Sequence, residues 1–112
     1  MTQFTLNLET GSVVFRFTPE AAQELKANLN ELMGRLKTTA TTTGSRPAPQ
    51  PSMEYRYTGD IFLELFCNPN IWASPFAARV LVTLRDDRIR LNTEAELSRL
   101  IEDVNQFLEQ HS

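Results

Sequence analysis

The sequence predicts an α+β fold: one mostly antiparallel sheet of five to six strands with two helices on one face, in the order ββα, linker, ββββα. Three observations lead there. Short runs with a two-residue apolar alternation recur along the chain, bounded by Gly, Asn, Asp or Pro. Two longer segments carry apolar residues at three- and four-residue spacing, the period of a helix. A stretch with almost nothing to bury separates the first helical segment from the second group of strands. At 112 residues the chain fits a single domain, 1–112, around one core.

The first strand is read from Phe4, Leu6 and Leu8, which alternate with Thr5, Asn7 and Glu9. Gly11 in "ETGS" turns the chain, and Val13, Phe15 and Phe17 alternate with Val14 and Arg16 to complete a hairpin. A helix follows, with Thr18 as cap, Pro19 at its first position and Glu20 near the positive end of its dipole. Ala22, Leu25, Leu29, Leu32 and Leu36 form its apolar stripe, and Gly34 is expected to end or weaken its last turn. Residues 38–52, "TTATTTGSRPAPQPS", read as a flexible linker; the PxxP character of "RPAPQP" is too weak to make it a docking peptide.

Beyond the linker, Tyr55 and Tyr57 alternate with Glu54 and Arg56, and "TGD" turns the chain. "IFLELFC" is apolar on both faces apart from Glu64, as expected of a central strand. "NPN" stops it, because Pro69 cannot donate to a ladder. "ARVLVTL" resumes alternation, with Val80, Val82 and Leu84 inward. "RDDR" is a polar turn, after which Ile89 and Leu91 are expected to face inward. The last helix is expected to start at Thr93, where "TEAE" reads as a capping box with Glu96 reaching back. Leu97, Leu100, Ile101, Val104, Phe107 and Leu108 form its apolar face, and "EQHS" should fray. Residues 4–33 and 80–108 share one plan (strand, turn, strand, helix) at an offset of 75, which suggests two ββα halves. Helix periodicity by itself also aligns leucines this way.

Composition narrows the function classes. The net charge of −3 disfavours nucleic acid and anionic membrane as partners, since both call for a positive field. A single cysteine allows no internal disulfide, and the N-terminus lacks the pattern of a signal peptide. A cytoplasmic protein is the expectation. The one histidine, His111, lies next to the chain end, where it cannot be held against a substrate. Cys67 ends an apolar strand in phase with Leu63 and Leu65, so it reads as a small buried hydrophobe rather than a nucleophile. One Cys and one His, far apart, do not make a soft-metal site, and the acids around Asp86–Asp87 do not follow calcium-loop spacing. The four glycines are scattered and form no phosphate loop. No cofactor, metal or enzymatic activity is expected.

What remains is a pattern of interaction residues. Arginines outnumber lysines nine to two. Strand phase puts Arg16, Arg56, Arg79, Arg85, Arg88 and Arg90 on the sheet face away from the core, with the acids, including Glu94, Glu96 and Asp103, on the helices. Phe62 and Phe66 fall on the same face as the arginines. Arginine beside aromatics is a common make-up of protein interfaces and of single-stranded nucleic-acid platforms; a plain solvated face with Arg–Glu pairs is the alternative. The connection after Cys67 adds Trp72 and Phe76, and Trp72 reads either as a seal on the sheet edge or as an anchor.

The expectation is therefore a non-enzymatic protein-interaction module, an assembly factor or regulatory adaptor. It would be a homodimer and bind a further, unidentified protein, through Phe62, Phe66, Trp72, Phe76 and the arginines at 56, 79, 85, 88 and 90. A single-stranded nucleic-acid binder using the same face is the alternative, and a small-ligand-binding domain the second. The ββββα order of residues 53–110 resembles Whirly-type modules, which bind single-stranded nucleic acid through a sheet; no motif accompanies that likeness of topology.

Overall fold

A computed structural model describes residues 2–41 and 49–111. The element order is β1 (Gln3–Leu8), β2 (Gly11–Arg16), α1 (Pro19–Thr41), β3 (Met53–Thr58), β4 (Phe62–Cys67), β5 (Arg79–Arg85), β6 (Arg90–Glu96) and α2 (Leu97–His111). A single 3-10 turn, Pro69–Ile71, lies between β4 and β5. This is the predicted ββα, ββββα order. All pairings are antiparallel, and the six strands divide into two sheets, β1-β2 and β3-β4-β5-β6.

Alternation decides which side of each strand is dry. In the hairpin Phe4, Leu6, Phe15 and Phe17 are buried; in the larger sheet the buried set includes Met53, Tyr55, Leu63, Leu65, Cys67, Val80, Val82, Leu84 and Ala95. Thr18 caps α1 through its hydroxyl, which accepts from the Ala21 amide at 3.1 Å. The helix does not stop at Gly34. Leu36, one turn beyond Leu32, is still wholly buried, and that packing outweighs the roughly 1 kcal/mol a helical glycine costs. Residues 38–41, expected in the linker, are consequently helical; residues 42–48 lie outside the described residues.

The other end of the chain departs further from expectation. Thr93 does not cap a helix. It lies inside β6 opposite Val82, and pairing continues through Glu94–Leu81 and Ala95–Val80 to Glu96–Arg79. Ala95 fills a fully buried inward position, and the ladder satisfies backbone groups that a helix start would leave open. α2 then begins at Leu97, whose amide donates to the Ala78 carbonyl at 3.1 Å. Ile89 also differs: it is 68% exposed. The Asp86 carboxylate accepts from the amides of Arg88 and Ile89, at 2.8 and 2.9 Å, and this holds Ile89 in the turn before β6 begins. The C-terminal turn stays helical to His111, whose ring packs 4.7 Å from that of Phe107.

Both helices and the small hairpin lie on one face of the large sheet. The Tyr55 hydroxyl on β3 donates to the Ala21 carbonyl of α1 at 3.1 Å. Phe17 meets Tyr57 edge-on at 4.9 Å, and Phe4 contacts both Phe15 and Phe107. This aromatic cluster joins the hairpin, the large sheet and α2 into one core. At the β3–β4 turn the Tyr57 ring crosses Gly59 so closely that a Cβ there would lie 2.7 Å from its Cζ. Among the described residues nothing packs on the opposite face of the four-stranded sheet.

Candidate functional site: the open sheet face

Register arranges the outward side chains of the large sheet in rows. Across β3, β4, β5 and β6 the first row reads Thr58, Phe62, Arg85, Arg90. The second is Arg56, Glu64, Thr83, Asn92, and the third Glu54, Phe66, Leu81, Glu94. Arg79 and Glu96 pair beyond it. Phe62 and Phe66 sit on the central strand and are only partly covered, and Leu81, opposite Phe66 on β5, is 50% exposed. The Arg85 guanidinium lies over the Phe62 ring, 4.3 Å from its centroid. Arg56 bonds Glu64 across the strand at 2.7 Å, and that pairing raises the Arg56 pKa.

The face is less arginine-rich than sequence phase suggests. Because β6 runs on to Glu96, it brings Glu94 and Glu96 onto the sheet rather than onto a helix. Four arginines, at 56, 79, 85 and 90, therefore share the face with four glutamates, at 54, 64, 94 and 96. The charges are also sorted along the strands. The first row holds Arg85 and Arg90 directly opposite each other, and the third holds Glu54 and Glu94. Arg88 lies in the turn beyond the first row. Arg16 belongs to the small hairpin and pairs with Asp60 at 3.3 Å. Arg79 is engaged by Glu9 at 3.3 Å.

Comparison with protein-family models, with curated proteins and with solved structures found no match.

The connection after β4 places its aromatics differently from one another. Trp72 packs partly buried against the core, and its indole Nε1 is shielded from solvent without a well-formed hydrogen bond. It nonetheless lies near enough to Cys67 to favour the thiolate slightly; burial dominates and pushes the thiol pKa up. Phe76, by contrast, is 86% exposed, and Ile71 on the preceding 3-10 turn is exposed as well. The turn itself is fixed: Asn70 exchanges hydrogen bonds at 2.8 Å with the backbone amide and carbonyl of Gln50. Trp72 and the two sheet phenylalanines are not brought together, since Phe62 and Phe66 point outward from β4 while the tryptophan faces the core.

One polar feature was hidden from strand phase. Asp103, expected among the acids of the helices, is buried and receives the Asn7 backbone amide at 2.8 Å and the Asn7 side-chain amide at 2.7 Å. It forms one end of a polar groove between β1 and α2, lined also by Gln3, Thr5, Gln106 and Gln110. The signal lay in its spacing, three residues after Leu100 and four before Phe107, which puts it on the apolar face of α2. Among the described residues, no group of three or more His, Cys, Asp or Glu side chains is gathered to hold a metal, and no helix is long and apolar enough to cross a membrane.

Proposed function

We propose that this protein is a non-enzymatic interaction module, an assembly factor or regulatory adaptor, that docks protein on the open face of its four-stranded sheet and self-associates as a homodimer. The observation that supports this reading is the half-exposed apolar centre, Phe62, Phe66 and Leu81, on a regular face ringed by charge of both signs. Interfaces of moderate size have this composition, with apolar and aromatic residues at the middle and charge at the rim. An exposed apolar patch on a sheet is otherwise a liability for a monomer. Phe76 and Ile71 would extend the surface where the loop leaves β4.

A photo-crosslinking side chain placed at Leu81 in the host cell tests the reading. Crosslinks to protein from Leu81, and none from Gln23 on the solvent side of α1, are the expected result. Crosslinks to nucleic acid, or none from either position, would overturn it. Nucleic acid is disfavoured by the four glutamates on the same face and the overall charge of −3.

A further inference from the structure

We infer that the occupant of the open face is a second copy of this chain, stacked face to face with its strands reversed about a twofold axis that crosses the strands at the second row. This rests on the reading that the face docks protein, and it specifies partner and geometry. Three features point to it.

First, the face is electrostatically self-complementary in one orientation only. Its basic row holds Arg85 and Arg90; its acidic row, two steps along the strands, holds Glu54 and Glu94. Two faces can meet about an in-plane twofold axis parallel to the strands or perpendicular to them. The parallel axis lays each row on itself, acid on acid. The perpendicular axis lays the first row on the partner's third row while keeping the order from β3 to β6. Arg90 then meets the partner's Glu94, Phe62 the partner's Phe66, Arg85 the partner's Leu81 and Thr58 the partner's Glu54, so Arg90 and Glu94 carry the charge match. Arg56 and Glu64, already paired with each other at 2.7 Å, lie at the axis and add no net charge.

Second, the isolated chain leaves these charges unresolved. Arg85 and Arg90 are opposed in register, and like charges directly opposite each other destabilise a sheet. Among the described residues neither Arg90 nor Glu94 has an ion-pair partner, although Arg56, Arg16 and Arg79 each do. A partner copy supplies the missing carboxylate to one and the missing guanidinium to the other, in both directions at once, as a twofold interface must.

Third, the size fits a weak dimer. Four strands of six or seven residues, at about 4.8 Å spacing and about 3.3 Å rise, present a face of roughly 20 by 20 Å. Stacking two such faces covers about 800 Å² of flat area, below the roughly 1,200 Å² at the lower end of stable interfaces and in the range of weak, transient ones. Reversed strands also keep the sheets aligned, the common mode of sheet packing.

The test is charge-swap complementation followed by sedimentation. The wild type should be dimeric at high micromolar concentration. Arg90→Glu and Glu94→Arg should each weaken its dimer by about tenfold or more, because each creates two like-charge contacts across the axis. Mixing the two variants should restore a dimer of near wild-type affinity, since the mixed pair holds one natural Arg–Glu contact and one inverted one. Both positions are exposed, and far-UV circular dichroism checks that the variants fold. A wild type that stays monomeric overturns the inference and the homodimer of the proposed function, while leaving crosslinking from Leu81 free to support a different protein partner. Single variants that weaken the dimer without complementing each other overturn the geometry, and variants with no effect place any dimer elsewhere.

Discussion

Two buried polar side chains, Asp103 and Tyr55, have named hydrogen-bond partners, and substitution at them should be read accordingly. Asp103 accepts two hydrogen bonds from Asn7, and Asp103→Asn would turn an amide donor toward one of those donors. A loss of about 1–3 kcal/mol in urea unfolding is expected, the cost of stranding a buried donor. The Tyr55 hydroxyl, buried against α1 beside Glu24, has its pKa raised well above the usual phenol value by desolvation and then by that carboxylate. The folded state therefore keeps this proton after the unfolded chain has lost it. Stability contributed by Tyr55 is complete below pH about 10 and declines as pH rises above that. Tyr55→Phe should cost about 1 kcal/mol at neutral pH and flatten the alkaline decline measured by thermal unfolding. Cys67 follows the same logic: burial raises its pKa, so few molecules carry the thiolate and the sulfur is covered. An aromatic disulfide reagent should label it slowly in the native protein and at once in denaturant.

At the scale of elements, the two helices begin by different means. Thr18 is a working cap, and Thr18→Ala should cost about 1 kcal/mol. Thr93 occupies the matching position in the second ββα unit but lies in β6 opposite Val82. Thr93→Val should therefore be neutral or slightly stabilising, because a β-branched apolar residue suits a strand and no cap is lost. Denaturant midpoints of the two variants separate these outcomes; equal losses would mean that Thr93 caps a helix after all. The comparison also limits the internal likeness at offset 75. Both halves have strand, turn, strand and helix, but the first has a capped break before its helix and the second runs from ladder into helix. Local pattern made both thresholds look alike, and pairing with β5 distinguishes them. The reach of α1 past Gly34 has a similar cause, since Leu36 is held by the core rather than by helix propensity.

For the whole molecule, the layered arrangement leaves one face of the large sheet wet while the other carries both helices and the hairpin. Charge on that face is balanced in number and separated in position, which favours a protein surface of complementary pattern over a polyanion. Fluorescence anisotropy of a labelled single-stranded oligonucleotide at low salt should not change on adding this protein. Binding that falls steeply with added salt would instead support a nucleic-acid platform. The exposed centre at Phe62, Phe66 and Leu81 should be sensitive in the opposite sense: Leu81→Glu should leave the monomer folded, with loss of self-association in sedimentation.

Much of this structure was legible in the residues themselves. Period-two runs marked the strands and period-3.6 stripes the helices, because burial on one side writes itself into the spacing of apolar side chains. The same phase placed Phe62, Phe66, Arg56, Arg79, Arg85 and Arg90 away from the core, and read Cys67 as buried. Tertiary structure alone decided the rest. Where β6 ends depends on Ala95 fitting opposite Val80, a contact between segments that no local pattern records, and it moves Glu94 and Glu96 onto the open face. The division into two sheets depends on which strand edges meet, and the burial of Asp103 depends on Asn7, 96 residues away. Periodicity reports only which side of an element is dry; what lies against that side is settled by long-range packing. In this protein that packing turned an apparent arginine face into one with a basic end and an acidic end.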